Sequence, residues 1–284
     1  MQAGAEILLT PGRLAELIAR SACVVVDCRF ELADKNRGRT HYLNGHIPGA
    51  QYAHLDHDLA APVSDSSGRH PLPSARAFAV FLGRIGWDRS KLLVAHDERN
   101  NAVAARLWWL MRYFGQPAAL LDGGLDAWTR AGYPLETGEV ESAQVTPPGL
   151  QANPDMTVDA DAILESLEQF TLNLVDARVQ ERFTGATEPL DTRAGHIPGA
   201  LNRPFGLNLD ESGSFKPPEQ LRGEFAELLG QRPAASVVHT CGSGVTACHN
   251  HLAMELAGLE GSRIYPGSWS EWVRDDARPI AVGP

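Results

Sequence analysis

Val237-Val238-His239-Thr240-Cys241-Gly242-Ser243-Gly244-Val245-Thr246-Ala247 is the stretch on which the reading of this chain turns. Val237 and Val238 open an apolar run after Pro233 that reads as the end of a buried strand. Cys241 follows at once among small residues, with Gly242 and Gly244 beside it. Val245 to Ala257 then reads as a helix closed by Gly258. A cysteine is thereby placed at the tip of a strand, in a tight loop, under a helix N-terminus. Glycines let backbone N–H groups converge on one point without side chains in the way. The helix start adds unpaired N–H groups and a partial positive charge. A thiolate, the nucleophilic form of cysteine, is favoured at such a focus, and the same cradle would hold an anion carried on that sulfur. The bland alternative is a small buried hydrophobe in an ordinary strand–helix turn, but a plain turn does not need Cys-Gly-Ser-Gly.

Working outward, the chain repeats itself. Gly45-His46-Ile47-Pro48-Gly49-Ala50 recurs as Gly195-His196-Ile197-Pro198-Gly199-Ala200, an offset of 150. Val24-Val25-Val26-Asp27-Cys28-Arg29 is echoed by Leu174-Val175-Asp176-Ala177-Arg178 at 149, and Gly123-Gly124-Leu125-Asp126-Ala127-Trp128 by Gly267-Ser268-Trp269-Ser270-Glu271-Trp272 at 144. Near-constant offsets mean a duplicated domain. Each half predicts a helix (Pro11 to Ala19 after Thr10; Val158 to Leu167 after Thr157), a strand ending in Asp-x-Arg, and a loop into the Gly-His-Ile-Pro-Gly-Ala turn. A helix follows (Ser74 to Ile85; Pro218 to Leu229), then a strand (Leu92 to Ala95; Val237 to Thr240) and a helix (Ala102 to Phe114; Val245 to Ala257). A short strand, a glycine turn and a Trp-bearing segment close each half. Strands alternating with helices predict an α/β fold: two tandem domains, each a mostly parallel sheet with helices on both faces. In such sheets ligands bind at the carboxyl ends of the strands, where Cys241 lies.

Length and composition agree. The chain has 284 residues, room for about two domains at ~150 each. Glu139 to Pro154, with three prolines, a glycine and no periodicity, reads as a linker, so the domains are set at 1–138 and 155–284. Net charge is −10, which argues against nucleic acid and anionic membranes as partners. Cys23, Cys28, Cys241 and Cys248 form no CxxC pair and fit a reducing compartment. Met1 to Glu6 lack a basic region followed by an apolar core, so no signal peptide is read, and no apolar run approaches eighteen residues. The expectation is a cytoplasmic protein.

The halves differ at one decisive position. Cys241 aligns, at the offset of 144, with Asp97 in Leu92-Leu93-Val94-Ala95-His96-Asp97. Aspartate cannot carry sulfur. The first half is therefore expected to keep the shape and the second the chemistry, with the first supporting the site at the domain interface.

These paired turns, the Cys241 loop and the Trp-bearing segment resemble the two-domain rhodanese family, the thiosulfate and 3-mercaptopyruvate sulfurtransferases. The resemblance covers nearly the whole chain and implies rhodanese-like domains, the C-terminal one catalytic. It implies that Cys241 attacks the sulfane sulfur of a donor and holds it as a persulfide, cradled by the amides of Gly242, Ser243, Gly244, Val245 and Thr246. The acceptor would be cyanide or a thiol such as thioredoxin or glutathione. Mercaptopyruvate-preferring members typically read as Cys241 to Thr246 does, whereas thiosulfate-specific ones often place basic residues there. A dianion wants more positive charge, and positions 242 to 247 carry none. The donor expected is 3-mercaptopyruvate, with thiosulfate the runner-up. Arg182 matches the family's carboxylate-binding arginine. A second arginine is expected before the second turn. Arg193 is the nearest candidate, in a segment (Glu188 to Arg193) shorter than in typical members. Ser243 with His70 and Asp56 resembles a proton relay to the departing enolate, with His54, His57 and Asp58 crowding Asp56.

Other signals read as structural. His46 and His196 are expected to bond backbone, Asp27/Arg29 and Asp176/Arg178 to form strand-end ion pairs, and Cys23, Cys28 and Cys248 to pack. Cys248, His249 and His251 lack a partner cluster for zinc, so no metal or cofactor is expected. Trp108, Trp109, Trp128 and Trp272 read as core, and Trp269 as lining the interdomain cleft. A cysteine phosphatase would need arginine six positions after the cysteine, where Ala247 stands. A non-catalytic module would not keep the Cys241 loop. A carrier passing persulfide sulfur to a protein partner would share the chemistry and differ in acceptor.

Overall fold

The computed structural model describes residues 6–169 and 171–284. Met1 to Ala5, on which most of the leader reading rests, lie outside the described residues. The chain forms two compact units. The first comprises the described residues up to Ala61, with Pro73–Asn153 and Glu211–Phe215; the second comprises Pro62–Leu72, Pro154–Asp210 and Lys216–Pro284. Each unit thus takes one short segment from the opposite half of the sequence.

The first unit runs β1 (Leu8–Leu9), α1 (Pro11–Ala19), β2 (Cys23–Asp27), α2 (Arg37–Asn44), β3 (Gln51–Tyr52), α3 (Leu55–Asp58), α4 (Ala75–Arg84), β4 (Leu92–His96), α5 (Ala104–Tyr113), β5 (Ala118–Leu121) and α6 (Gly124–Arg130). Its strands pair in parallel in the order β1-β5-β4-β2-β3. The period-2 alternation of strands assigns the faces. Val25, Val94, Ala119 and Leu121 meet Leu14 of α1 and Trp128 of α6 on one face, while α5 packs against β4 and β5. Both faces are covered, so the strands read as continuous apolar runs. Thr10 caps α1, its Oγ1 accepting from Arg13 N–H at 3.2 Å, and Ser74 caps α4 in the same way through Ala77 N–H. Residues 139–153 run along this unit, with Val145 N–H on Gly83 O and Asn153 N–H on Tyr113 O.

The second unit runs α7 (Ala160–Gln169), β6 (Asn173–Asp176), α8 (Gln180–Phe183), β7 (Leu201–Asn202), α9 (Pro218–Leu229), β8 (Val237–Thr240), α10 (Ala247–Leu256), β9 (Arg263–Ile264) and α11 (Ser268–Trp272). Its strands are parallel in the order β7-β6-β8-β9. Thr157 bridges Ile264 where β1 pairs with β5 in the first unit. That pairing moves the start of α7: Val158 N–H bonds Ile264 O, so the helix begins later than expected, with Asp159 and not Thr157 as its cap. Short helices α2 and α8 stand where the sequence suggested only a loop. Among the described residues no helix is long and apolar enough to cross a membrane.

The duplicated motifs do the same work twice. His46 Nδ1 meets Tyr42 O at 2.7 Å and His196 Nδ1 meets Phe183 O at 2.8 Å. Arg29 Nη2 sits 2.6 Å from Asp27 Oδ2, and Arg178 Nη2 2.7 Å from Asp176 Oδ2. Each guanidinium also donates to the carbonyl of its Gly-His-Ile-Pro-Gly-Ala glycine, Gly45 or Gly195. Trp269 corrects an expectation. It is 1% exposed inside the second unit's core, under the Arg178 guanidinium at 4.7 Å, so it lines no cleft.

Candidate active site

β8 lies between β6 and β9 and ends at Thr240, so Cys241 leaves the carboxyl edge of its sheet. Two N–H groups at the start of α11 fix the loop that follows: Trp269 N–H donates to Cys241 O at 3.0 Å and Ser270 N–H to Gly242 O at 2.9 Å. Cys241 N–H donates to Ser268 Oγ at 3.1 Å, and that hydroxyl donates on to Tyr265 O. Ser268 holds φ +52°, a left-handed conformation that costs a non-glycine residue of order 1 kcal/mol. Its two hydrogen bonds, one of them to Cys241, offset that strain at the site.

Gly244 closes the loop. Its φ is +76°, and a Cβ there would lie 2.3 Å from Pro266 O, so only glycine fits. The turn aims Gly244 N–H at Cys241 Sγ, 3.1 Å away. Val245 O and Thr246 O accept from Cys248 and His249, and α10 starts at Ala247, two residues later than expected. Cys241 is 2% exposed. The sulfur is thus buried, seated at a helix start and held by a backbone donor.

Ser243 and His70 meet beside it. Ser243 Oγ is 2.7 Å from His70 Nδ1, and both residues are buried. His70 arrives on the 62–72 segment, which is part of this unit. The segment is clasped by Arg69 N–H on Ser270 Oγ at 3.0 Å. Asp56 belongs to the other unit, where its Oδ2 lies 2.6 Å from Lys35 Nζ. Of the groups around Asp56, His54 stacks on His57 at 4.3 Å and Asp58 pairs with Arg84.

Two guanidinium groups flank the loop. A Cβ on Gly242 would meet Arg69 Nη2 at 3.0 Å and Arg182 Nη1 at 3.4 Å. Arg182, on α8, donates to Glu188 through Nε at 3.2 Å and Nη2 at 2.8 Å, and lies 3.3 Å from Asp191 Oδ2. Arg69 pairs with Asp191 Oδ1. Arg178 reaches Glu188 from behind at 3.4 Å. The Glu188 side chain is 3% exposed and shared by two arginines. Burial opposes its ionisation, yet the Arg182 bonds and the Leu190 and Asp191 N–H groups outweigh that and hold the carboxyl below its usual range. For Asp191 burial wins and pushes the carboxyl up, despite Arg69 and Arg182. Arg193 goes elsewhere: its Nη1 lies 3.8 Å from Asp276 and its carbonyl accepts from Trp269 Nε1 at 3.0 Å. The neutral loop therefore gave no sign of the paired charges beside it. Arg69 was not singled out because it is 172 positions from Cys241 and carries no local motif; its only signal was that it precedes His70.

Cys248 is buried behind the loop, its Sγ 3.3 Å from Gly244 O. His249 contacts Asn208 and His251 contacts Ser262. In the first unit, Asp97 fills its own cradle. Oδ1 accepts from Asn101 N–H at 2.7 Å, and Oδ2 from Val103 and Ala104 N–H at 3.0 and 3.5 Å. Leu125 and Asp126 N–H clamp Asp97 O and Glu98 O as Trp269 and Ser270 clamp the Cys241 loop.

Comparison with known proteins agrees with this geometry. The model of the rhodanese-like domain matches residues 10–131 and again 159–275. The "Probable 3-mercaptopyruvate sulfurtransferase" of Pseudomonas aeruginosa is 46% identical over 281 residues, 97% of this chain and 98% of that one. The thiosulfate sulfurtransferase of Bos taurus is 33% identical, covering 87% of this chain and 84% of that one. The crystal structure of the 3-mercaptopyruvate sulfotransferase SseA from Escherichia coli superposes with a TM-score of 0.80 at 31% identity, over 94% of this chain and all of the other. With a twice-matched domain, a parallel sheet in each unit and a cysteine at the strand end of the second, the chain belongs to the two-domain sulfurtransferases of the rhodanese family.

Proposed function

We propose that the protein moves a sulfane sulfur from 3-mercaptopyruvate to a thiol or cyanide through a persulfide on Cys241. The observation that carries this reading is the buried Cys241 sulfur taking the Gly244 N–H at 3.1 Å. The Cys241 thiolate attacks the sulfur of the donor. An S–S bond forms, the C–S bond breaks, and its electron pair stays on carbon as the enolate of pyruvate. A proton must then reach that carbon. The Ser243–His70 pair supports its delivery at this place. Arg182 supports binding of the donor carboxylate. An acceptor anion (cyanide, glutathione or thioredoxin thiolate) takes the outer sulfur and returns the Cys241 thiolate. Four free cysteines support a reducing compartment, the cytoplasm.

A second reading has its own observation. Arg69 beside Arg182 offers two cations near Gly242, which suits the thiosulfate dianion. Thiosulfate would give the same persulfide, its S–S bond breaking to release sulfite. Steady-state turnover of both donors with cyanide, on wild type and Cys241→Ser, decides between them. We expect the larger kcat/KM with 3-mercaptopyruvate, one added sulfur on wild-type protein by intact mass, and a dead serine variant. A larger value with thiosulfate would transfer the donor assignment, and an active serine variant would overturn the mechanism.

A further inference from the structure

Arg69 and Arg182 converge beside Gly242, and both are engaged by the carboxylate of Asp191. Each positive charge here has a negative partner. Arg178 has Asp176, Arg182 has Glu188, and Arg69 has Asp191. An anionic donor entering this neutral arrangement gains an arginine only if a carboxylate gives one up. Glu188 is poorly placed to do so, since Arg178, Arg182 and two backbone N–H groups hold it. Asp191 is better placed. It sits in an irregular stretch between α8 and β7, and its carboxylate lies on the same two arginines that face the sulfur loop. Arg69 Nε is buried and has no hydrogen-bond partner among the described residues, so its fork is not fully used.

We propose that Arg69 is the second anion-binding arginine of the donor pocket, in the place expected of Arg193, and that Asp191 is a built-in counter-ion which an anionic donor displaces from it. This rests on the sulfur-transfer reading and adds the residues that set donor affinity. Arg69 comes from the 62–72 segment of the first half of the chain, so donor binding draws on both halves of the sequence.

The test is donor kinetics with cyanide on Arg69→Gln, Arg69→Lys, Asp191→Asn and Arg193→Gln, each checked by circular dichroism and thermal unfolding. Three donors are compared: 3-mercaptopyruvate, thiosulfate, and mercaptoacetone, which lacks the carboxylate. Loss of a charge-assisted bidentate contact should raise KM for both anionic donors about tenfold in Arg69→Gln, with a smaller change in kcat. Arg69→Lys should recover part of that loss. Asp191→Asn should lower the same KM values about threefold or more. KM for mercaptoacetone should move in neither, and Arg193→Gln should stay within about twofold of wild type for all donors. The assignment is overturned if folded Arg69→Gln keeps its KM, if KM for mercaptoacetone rises equally, or if Asp191→Asn raises KM for the anions. Wild type inactive with every donor would instead sink the sulfur-transfer reading, and this assignment with it.

Discussion

At the scale of residues, the proposed chemistry divides between a sulfur held by backbone and a proton delivered by side chains. Gly244 N–H reaches Cys241 Sγ, whereas the Ser243 hydroxyl turns to His70. The two donors make different demands on that second pair. Pyruvate must leave 3-mercaptopyruvate as a carbanion equivalent that needs a proton on carbon; sulfite leaves thiosulfate as a stable anion that needs none. Ser243→Ala and His70→Gln are therefore expected to lower kcat with 3-mercaptopyruvate about a hundredfold, as removal of general acid catalysis does. With thiosulfate they should change kcat only a few-fold. Parallel steady-state assays on the two donors check this, and equal losses with both would reduce the pair to a structural role. The Cys241 loop was legible in the sequence because its residues are contiguous and each type answers a local need. Arg69 was not legible, because its meaning comes from a chain path that no local pattern records.

At the scale of elements, the repeat carried most of the fold. The bounds of α1, α9 and β8 follow from Thr10-Pro11, Pro217-Pro218 and the Val237-Val238 run. Two helix starts moved, one through a distant partner and one through a local turn. Val158 bonds Ile264 and delays α7, and the 3-10 turn at Val245 and Thr246 delays α10. The repeat also explains Asp97. Its loop, from strand end to helix start, is one residue longer than the Cys241 loop, and its carboxylate takes the N–H groups that a bound anion would otherwise take. Asp97 acts here as a cap. Asp97→Ala should leave those donors unpaired and destabilise the first unit by about 2–3 kcal/mol in chemical denaturation, with little change in sulfur transfer at saturating donor. The pH dependence has a definite sign. Burial pushes this carboxyl above its ordinary 3.8, so the unfolded chain gives up the proton first. Stability is then lost as pH rises through the folded value, and the Asp97→Ala penalty should be larger at about pH 4 than at about pH 8. An unchanged or inverted difference between those two conditions would count against this role for Asp97.

At the scale of the whole molecule, duplication did not yield two self-sufficient halves. Residues 155–284 contain Cys241, Ser243, Arg182, Glu188 and Asp191, but the unit they form includes Pro62–Leu72. That segment supplies His70 to Ser243, the Arg69 backbone to Ser270, and the Arg69 side chain to Asp191. Cutting the chain at the linker removes all three. Asp191, whose side chain is 5% exposed in the complete protein, would then keep one arginine of its two. Losing one of its two arginines weakens the pairing of that carboxylate, enough to lower the unfolding temperature measurably. A fragment of residues 139–284 is therefore expected to melt lower than the intact protein. Its kcat/KM for 3-mercaptopyruvate should fall at least about a hundredfold, since it lacks both the proposed proton donor and the proposed second donor-binding arginine. Because a weakened fragment loses activity for more than one reason, the intact chain bearing Arg69→Gln with His70→Gln is the matched measurement. If that folded double variant loses turnover to the same extent as the fragment, the loss belongs to the chemistry of the 62–72 segment. If it stays active while the fragment is dead, the segment serves the fold of the second unit and not its site.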